Sequence, residues 1–230
     1  MEYQELKNFG QLYTPKASAR VLMASFTNIP KELGFLGTPK FVAKLGSKNR
    51  YWNRRRLKTA EERGVTHAEF MEGIRYSLAF YTAIVATCGA QKTREVYPKL
   101  AQRLSLMMWE DYLPPTEDFL RFESPWEALR EYVLEYYRTN EREGVWRYEV
   151  IRDTDSEFQV HVTDCAWAAM HEEGGCLDGF ATSSSYSEGI VFSRLAQAIG
   201  GDFKQEDGCL CHRDPICDWH FFRHKVPESD

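Results

Sequence analysis

The hydrophobic pattern of this chain changes its period at Val145. Before that point apolar side chains recur at helical spacing, for example at Phe70 and Ile74. From 145 to 153, and again from 157 to 163, polar and apolar residues alternate, which is typical of strands. The first part of the chain therefore predicts helices, whereas the second part predicts a sheet.

Three helices are predicted in the middle of the chain. Thr66, followed three residues later by a glutamate, resembles a capping box, and it begins a helix that runs to about Cys88. A second helix covers 92–112 and ends at a pair of prolines. Ser124 followed by Pro125 begins a third, because proline is favoured at the first helical position.

The first 60 residues are expected to form short helical or irregular pieces, because prolines and glycines interrupt them. Residues 48–58 are a basic run that carries Tyr51 and Trp52. One interpretation of this run is a patch that binds phosphate or nucleic acid. The other is a solvated helix start whose two aromatic side chains pack inward.

The end of the chain repeats the strand pattern after two helices. Residues 164–173 predict a helix closed by two glycines, 176–187 a loop of small residues, and 187–199 an amphipathic helix. Two further strands, 202–210 and 216–224, flank a polar turn. Two hairpins joined through helices predict a four-stranded antiparallel sheet covered by helices, which is the α+β class.

The domain organisation follows from the same change of period. Residues 1–144 are expected to form a mainly helical region, and residues 145–230 an α+β region. The two regions either fold separately or belong to one continuous domain, since 230 residues can bury a large core.

The composition is that of a globular protein, with 43% hydrophobic and 27% charged residues. A net charge of −5 argues against nucleic acid as a partner. No apolar run approaches the roughly 18 residues that cross a bilayer, and the chain opens without a secretory signal, so we expect no membrane partner and a cytoplasmic location. In a reducing compartment the six cysteines are expected to be buried, to bind metal or to be reactive thiols.

Cys165 has a specific argument for reactivity. Asp164 is a natural N-cap, which would place Cys165 in the first turn of a helix. Unpaired N–H groups and the helix dipole favour a thiolate at that position. Cys165 is therefore a candidate nucleophile or metal ligand; the alternative is a small residue that packs where strand meets helix.

The final hairpin would bring Cys209 and Cys217 close together across its turn. Cys211 lies on the same strand face as Cys209, so either of them is a candidate partner of Cys217. Glu206 alternates onto the opposite face and would need a bulge or a loop edge to join them. The spacing differs from a close Cys-x-x-Cys knuckle, so a metal site there is one hypothesis beside simple packing.

Candidate acid–base residues are His171, Glu172, His212, Asp214 and Asp218. A helical His171 or a turn His212 would titrate near neutral pH and could serve as a general base. The alternative for each residue is a surface or structural role. No glycine-rich phosphate loop, HExxH or GxSxG element is present, which argues against nucleotide-dependent enzymes, zincins and α/β-hydrolases.

The second half of the chain resembles the L-2-amino-thiazoline-4-carboxylic acid hydrolase family. The resemblance covers about 145–222. It rests on short motifs, which are Asp164-Cys165, Cys176-Leu-Asp178, Gly200-Gly201 and Cys217-Asp218-Trp-His-Phe. It implies a hydrolase that opens a C–N bond in a small amidine-like or sulfur-containing heterocycle.

The closing hairpin departs from that family and is similar to the 4-vinyl reductase domain. Glu206 and Cys209 stand where arginine and threonine are expected in the hydrolase family, and Glu206-x-x-Cys209 followed by Cys217 is the pattern similar to the second family. This second resemblance implies a non-catalytic module that binds or senses a small molecule and holds zinc through cysteines. Either resemblance implies a sheet-and-helix core and a small-molecule partner, and exposed sheet edges make a homodimer an expectation.

The hydrolase hypothesis allows two mechanisms. In the first, the Cys165 thiolate attacks the ring carbon while His171 or His212 moves protons. In the second, zinc activates a water molecule. The candidate zinc ligands are Cys165, Cys176, Glu206, Cys209 and Cys217. In both mechanisms Asp178 and Asp218 would orient donors or hold the substrate amidine.

Overall fold

A four-stranded antiparallel sheet organises the fold in the computed structural model, which describes residues 2–14, 19–205 and 208–224. The strands are β1 (Trp146–Asp153), β2 (Glu157–Cys165), β3 (Gly201–Lys204) and β4 (Cys217–Arg223), in the order β1-β2-β4-β3. The two predicted hairpins, the antiparallel sheet and the α+β class are confirmed.

The inner face of the sheet is built from cross-strand pairs of large side chains. Val160 lies opposite Trp219, and Phe158 lies opposite Phe221. All four side chains are buried, because alternate residues of a strand point to the same face and helices pack against this face.

Helices account for most of the remaining described chain. They are α1 (Ala19–Arg54), α2 (Lys58–Arg63), α3 (Ala68–Tyr112), α4 (Thr116–Phe119), α5 (Pro125–Arg142), α6 (Ala166–Glu173) and α7 (Leu177–Ala198), with 3-10 turns at Tyr3–Glu5 and Leu210–His212. Among the described residues, no helix has the length and apolar character needed to cross a bilayer. The predicted cap of α5 is confirmed, since Ser124 Oγ accepts a hydrogen bond from the Glu127 N–H at 3.3 Å.

Two glycines interrupt the long helices α1 and α3. Gly34 and Gly89 have φ of 75° and 81°, a backbone conformation that favours glycine because it has no Cβ. The break at Gly89 agrees with the two helices predicted there. Of the breaks predicted within the first 60 residues, the one at Gly34 is confirmed, whereas those at Pro30 and Pro39 were wrong because α1 continues through both prolines to Arg54. The start of α3 also differs: His67, not Thr66, is its N-cap.

Helix α7 replaces the loop that was predicted over 176–187. Its small residues allow it to lie close against α3: a Cβ added at Gly179 would be 2.6 Å from the Tyr81 ring. On the same side, the Ser105 and Ser187 hydroxyls are 2.7 Å apart. The small residues therefore serve close helix packing, which sequence periodicity alone did not distinguish from a loop.

One hydrophobic core joins residues from both halves of the chain. Trp219 of β4 contacts Phe192 of α7 and Tyr137 of α5, with ring centroids 4.8 and 5.6 Å apart. Trp109 of α3 contacts the same Phe192 at 5.5 Å. In the basic run 48–58, Trp52 is buried in this core whereas Tyr51 is half exposed, so only one of the two aromatic side chains packs inward.

Candidate functional site

A cavity of about 140 Å³ lies between the inner face of the sheet and helices α1, α3 and α7. An engineered apolar cavity of about 150 Å³ accommodates benzene, so the size suits one small ring. Aromatic residues make up ten of the 26 described residues that line it. The aromatic side chains that line it are Tyr13, Tyr76, Phe80, Tyr97, Trp109, Tyr136, Trp146, Trp167, Phe180 and Trp219.

Four free thiols also line this cavity: Cys165, Cys209, Cys211 and Cys217. The Cys209 Sγ lies 2.7 Å from the Cys211 Sγ and 3.3 Å from the Cys217 Sγ. The predicted approach of Cys209 and Cys217 is therefore confirmed, and Cys211 joins them instead of replacing one of them. We call Cys209, Cys211 and Cys217 the thiol triad.

The turn between β3 and β4 positions the triad. Asp214 Oδ2 accepts a hydrogen bond from the Cys209 N–H at 2.8 Å, and the Cys209 carbonyl accepts one from the His212 N–H at 2.8 Å. Gly208 is required where the turn tightens, because its φ is 117° and an added Cβ would lie 2.7 Å from the Asp214 side chain. The predicted strand over 202–210 is accordingly shorter, and β3 ends at Lys204.

Hydrogen bonding within the triad favours a thiolate on Cys209. The pKa of Cys209 is lowered because the Cys211 and Cys217 thiols donate to its sulfur, which outweighs the effect of burial. The same arrangement raises the pKa values of Cys211 and Cys217. The Leu210 N–H donates to the Cys217 Sγ at 3.0 Å and holds that thiol in place. One of the four cavity cysteines is thus prepared to act as a nucleophile.

Cys165 is positioned differently from the sequence prediction. Helix α6 begins at Ala166 and its N-cap is Cys165 itself, so the prediction that Asp164 caps this helix was wrong by one residue. The Asp164 carboxylate instead pairs with Arg63, whose Nη2 donates to Asp164 Oδ1 at 2.5 Å. Burial raises the pKa of Cys165 to about 12, against the effect of the Ala168 and Trp167 N–H groups. The structure therefore keeps this thiol protonated.

Glu188 is a cavity residue that the sequence analysis did not identify. Its Oε1 accepts a hydrogen bond from Ser184 Oγ at 2.9 Å. Burial raises its pKa to about 8, and the negative charge of Cys209 acts in the same direction. Its position in α7 was a usable signal, because Glu188 lies on the same helical face as the buried Val191 and Leu195.

His171 lies behind the cavity wall. Its Nδ1–H donates to the Trp167 carbonyl at 2.7 Å, so its Nε2 accepts from the Ser77 hydroxyl at 2.9 Å. The ring stacks on Phe180 with centroids 4.2 Å apart. Burial lowers its pKa to about 4, which keeps the imidazole neutral at physiological pH. Ser77, Trp167 and Phe180 line the cavity, whereas His171 supports them from outside it.

Three other predicted residues lie away from the cavity. Asp178 is 81% exposed and pairs with Arg213 at 2.9 Å. His212 Nε2 is 3.1 Å from the Ser185 hydroxyl. Cys176 is buried, and burial raises its pKa to about 12. Cys176 and Asp178 line a separate recess beside Arg213.

Asp218 faces the opposite side of the sheet from the cavity. Its Oδ1 accepts a hydrogen bond from Gln159 Nε2 at 2.9 Å and is 3.4 Å from His161 Nε2. Alternation along β4 explains this placement, since Cys217 and Trp219 on either side of Asp218 point inward. Glu206, the remaining predicted ligand, lies outside the described residues.

The triad sulfurs are too close together to surround a zinc ion as they stand. Zinc–sulfur bonds of about 2.3 Å separate tetrahedral ligands by about 3.8 Å. The Cys209 sulfur lies only 2.7 and 3.3 Å from the other two sulfurs. Within 2–14, 19–205 and 208–224, no group of three or more histidine, cysteine, aspartate or glutamate side chains is arranged to hold a metal ion.

Comparison with known proteins does not assign this site. No protein-family model and no curated protein matches the chain. Among solved structures it is similar to an Fe(II) unliganded H-NOX protein from K. algicida, at 9% identity over 92% of this chain and 98% of that one, with a TM-score of 0.41. A point mutant of that protein matches at 7% identity over 81% and 96%, with a TM-score of 0.33. Likeness at this level carries no argument about function.

Proposed function

We propose that this chain binds a small, flat heterocycle in the aromatic cavity and hydrolyses a C–N bond in it. The observation that carries the proposal is the Cys209 sulfur, which two neighbouring thiols favour as a thiolate in the wall of a ring-sized cavity. Glu188 lines the same cavity and retains a proton near neutral pH. A nucleophile and a proton donor therefore face one enclosed space.

The first half of the proposed reaction uses both groups on an amidine. The Cys209 thiolate forms a bond to the amidine carbon, and the electron pair of the C=N bond moves to nitrogen. If the substrate binds as the neutral amidine, that nitrogen takes the proton of Glu188; if it binds as the amidinium, Glu188 has already released its proton and the nitrogen already carries one. The Glu188 carboxylate then transfers a proton from the retained nitrogen to the leaving nitrogen. The C–N bond breaks, an amine leaves, and the carbon remains bonded to the Cys209 sulfur as a thioimidate.

Water completes the reaction. It adds to the thioimidate carbon, the C–S bond breaks, and its electron pair returns to Cys209. The excess proton returns to Glu188, so both groups recover their starting states. The net change is the consumption of one water molecule and the replacement of one C–N bond by a carbonyl C–O bond.

This proposal moves the nucleophile from Cys165 to Cys209. Burial disfavours the Cys165 thiolate, whereas the triad favours the Cys209 thiolate. Proton transfer is assigned to Glu188 because His171 and His212 do not line the cavity. His171 instead orients Ser77 and supports Phe180.

Turnover of 2-amino-2-thiazoline tests the proposal, with mass spectrometry for loss of the substrate and release of a hydrolysed product. We expect Cys209→Ser to lower turnover by about a thousandfold or more, as removal of a covalent nucleophile does. Cys165→Ser, a matched change in the same cavity, is expected to retain most of the activity. Equal losses in both variants, or full activity in Cys209→Ser, would sink the assignment of Cys209.

A second proposal is the non-catalytic, zinc-holding module, which the convergence of three thiols at the closing hairpin favours. Zinc binding would require the triad sulfurs to move apart by up to about 1 Å. Metal content of the purified protein distinguishes the two proposals. Stoichiometric zinc that is lost in Cys209→Ser but kept in Cys176→Ser, together with no turnover, would favour this one.

A further inference from the structure

The cavity has an uneven distribution of charge. Among the described residues that line it, the ionisable side chains are phenols, thiols and one carboxyl group, and none is lysine, arginine or histidine. Cys209 and Glu188 are the two groups there that carry negative charge most readily. An anionic ligand in this cavity would therefore lose its hydration without gaining a cationic partner, and it would also lie close to groups that carry negative charge.

We propose that Glu188 selects the substrate, so that the cavity accepts a ring bearing an amidinium or similar cationic N–H donor and rejects rings bearing a carboxylate. The inference deepens the proposed function by naming its substrate class, and it rests on the cavity being the ligand site. It separates amino-substituted rings from carboxylated rings of the same size.

The geometry of Glu188 suits an amidinium. A carboxylate offers about four lone-pair positions; Ser184 occupies one of them at Oε1 and Gln205 is a second hydrogen-bonding neighbour, which leaves two for a ligand. Two parallel N–H donors of a cation bind a carboxylate as a bidentate pair, and such charge-assisted pairs are among the strongest hydrogen bonds in proteins. The i, i+4 placement of Ser184 and Glu188 in α7 holds the carboxyl group against the cavity.

The aromatic walls suit the same ligand. Tyr13 and Trp109 stack on each other with centroids 4.3 Å apart and planes 5° from parallel, and both line the cavity. The faces of tryptophan and tyrosine attract cations, by more than about 0.5–1 kcal/mol where water is excluded. A flat cation therefore finds both stacking surfaces and a counter-charge.

Binding of such a cation is coupled to a proton on Glu188. The pKa of Glu188 is raised to about 8 by burial, so below that pH the carboxyl group must release its proton when the cation binds. Affinity for the cation should therefore rise with pH up to about 8 and then level off. The neighbouring phenols and thiols do not add to this pH dependence, because their pKa values are shifted away from the range of pH 6 to 8. Hydrogen bonding raises the pKa of Cys211 and lowers that of Cys209. Burial raises the pKa values of the others, which are Tyr13, Tyr136, Tyr137 and Cys165.

Three probes of one shape test the inference by isothermal titration calorimetry: benzamidine, benzamide and benzoate. Wild-type protein should bind benzamidine at least about tenfold more tightly than benzamide, a difference of about 1.4 kcal/mol, and should not bind benzoate measurably. Glu188→Gln should bind benzamidine at least about tenfold more weakly than wild type and keep its affinity for benzamide; the Cys209 thiolate accounts for any preference that remains. Glu172→Gln, outside the cavity, is the matched control and should behave as wild type.

The pH dependence provides a test that needs no variant. Benzamidine affinity of the wild-type protein should rise between about pH 6 and 8, whereas benzamide affinity should stay constant. Benzoate that binds as tightly as benzamidine, or a benzamidine affinity that is unchanged in Glu188→Gln, overturns the inference. If the charge preference holds but 2-amino-2-thiazoline is not hydrolysed, the proposed function fails and the inference stands. If 2-amino-2-thiazoline is hydrolysed but the charge preference is absent, the inference fails and the proposed function stands.

Discussion

The Cys217 sulfur lies 3.3 Å from the Cys209 sulfur, although seven residues separate them along the chain. The connection between β3 and β4 creates this proximity: the Asp218 N–H donates to the Gly208 carbonyl at 3.3 Å, and the 3-10 turn at Leu210–His212 adds Cys211 to the pair. The outcome is a cavity wall in which two thiols hydrogen bond to a third. The reactivity of Cys209 therefore depends on its neighbours.

Cys209 should react with iodoacetamide at a lower pH than an ordinary thiol. A free cysteine has a pKa of about 8.5, and its reaction slows about tenfold for each pH unit below that value. Because Cys211 and Cys217 lower the pKa of Cys209, its alkylation should remain nearly constant between about pH 6 and 8. Peptide mass spectrometry over this range measures the rate at each cysteine.

Removing a triad donor should weaken this effect. Cys217→Ala removes one S–H donor, so the pH profile of Cys209 should shift toward that of the free thiol. Cys88→Ala is the matched control, because Cys88 lies outside the described cavity lining. A Cys209 profile that tracks the free thiol in the wild-type protein would contradict the thiolate assignment.

The buried His171 should make stability fall in acid. The folded protein holds the pKa of His171 at about 4, below the unfolded value of about 6.5, so the unfolded state binds the proton more readily. Stability from this residue is complete above pH 6.5 and declines as the pH falls toward 4. The full loss is about 3 kcal/mol, since each pKa unit is worth about 1.4 kcal/mol.

Urea unfolding at about pH 7 and pH 4.5 measures this loss. His171→Gln should remove most of the difference between the two pH values, and it should lower stability at pH 7 by about 1–3 kcal/mol through disturbed hydrogen bonds and packing. His212→Gln, on the exposed turn, should change stability by less than about 0.5 kcal/mol. Equal pH dependence in the wild type and His171→Gln would show that other groups cause it.

Gly179 and Gly189 of α7 should respond oppositely to alanine. A Cβ at Gly179 would lie 2.6 Å from the Tyr81 ring, so Gly179→Ala should destabilise the protein by about 1–3 kcal/mol. No atom lies within 4 Å of a Cβ placed on Gly189, so Gly189→Ala should stabilise by about 0.5–1 kcal/mol through helix propensity. Thermal or urea unfolding of the two variants decides whether α7 packs on α3 as described.

Asp178→Asn should leave catalysis unchanged. Asp178 pairs with Arg213 on the surface, and exposed ion pairs contribute about 0–1 kcal/mol. Turnover of 2-amino-2-thiazoline should therefore stay within about twofold of wild type. A loss comparable to that of Cys209→Ser would return Asp178 to the active site, as the sequence analysis had placed it.

Local patterns were enough to predict the sheet and much of the helical region. The alternation from 145 to 163 predicted β1 and β2 because a strand exposes every second side chain to the core. The Ser124 cap and Pro125 predicted the start of α5 from local hydrogen bonding alone. The prediction failed where small residues occur both in loops and at close helix contacts. The small residues from 176 to 187 resemble a loop in sequence, but in the structure they belong to a helix that packs closely against its neighbour.

The candidate site shows the same division. The sequence by itself predicted that Cys209 and Cys217 would meet across a turn, although the contact forms in the connection between the strands and not in the β3–β4 ladder. Only the tertiary structure decided that Cys165, Cys211 and Glu188 share their cavity, and that His212 and Asp178 lie outside it. The reason is that burial and charge at a site come from contacts between distant segments, here α3, α7 and the two hairpins. Those contacts decide which thiol is ionised and whether a carboxyl group keeps its proton.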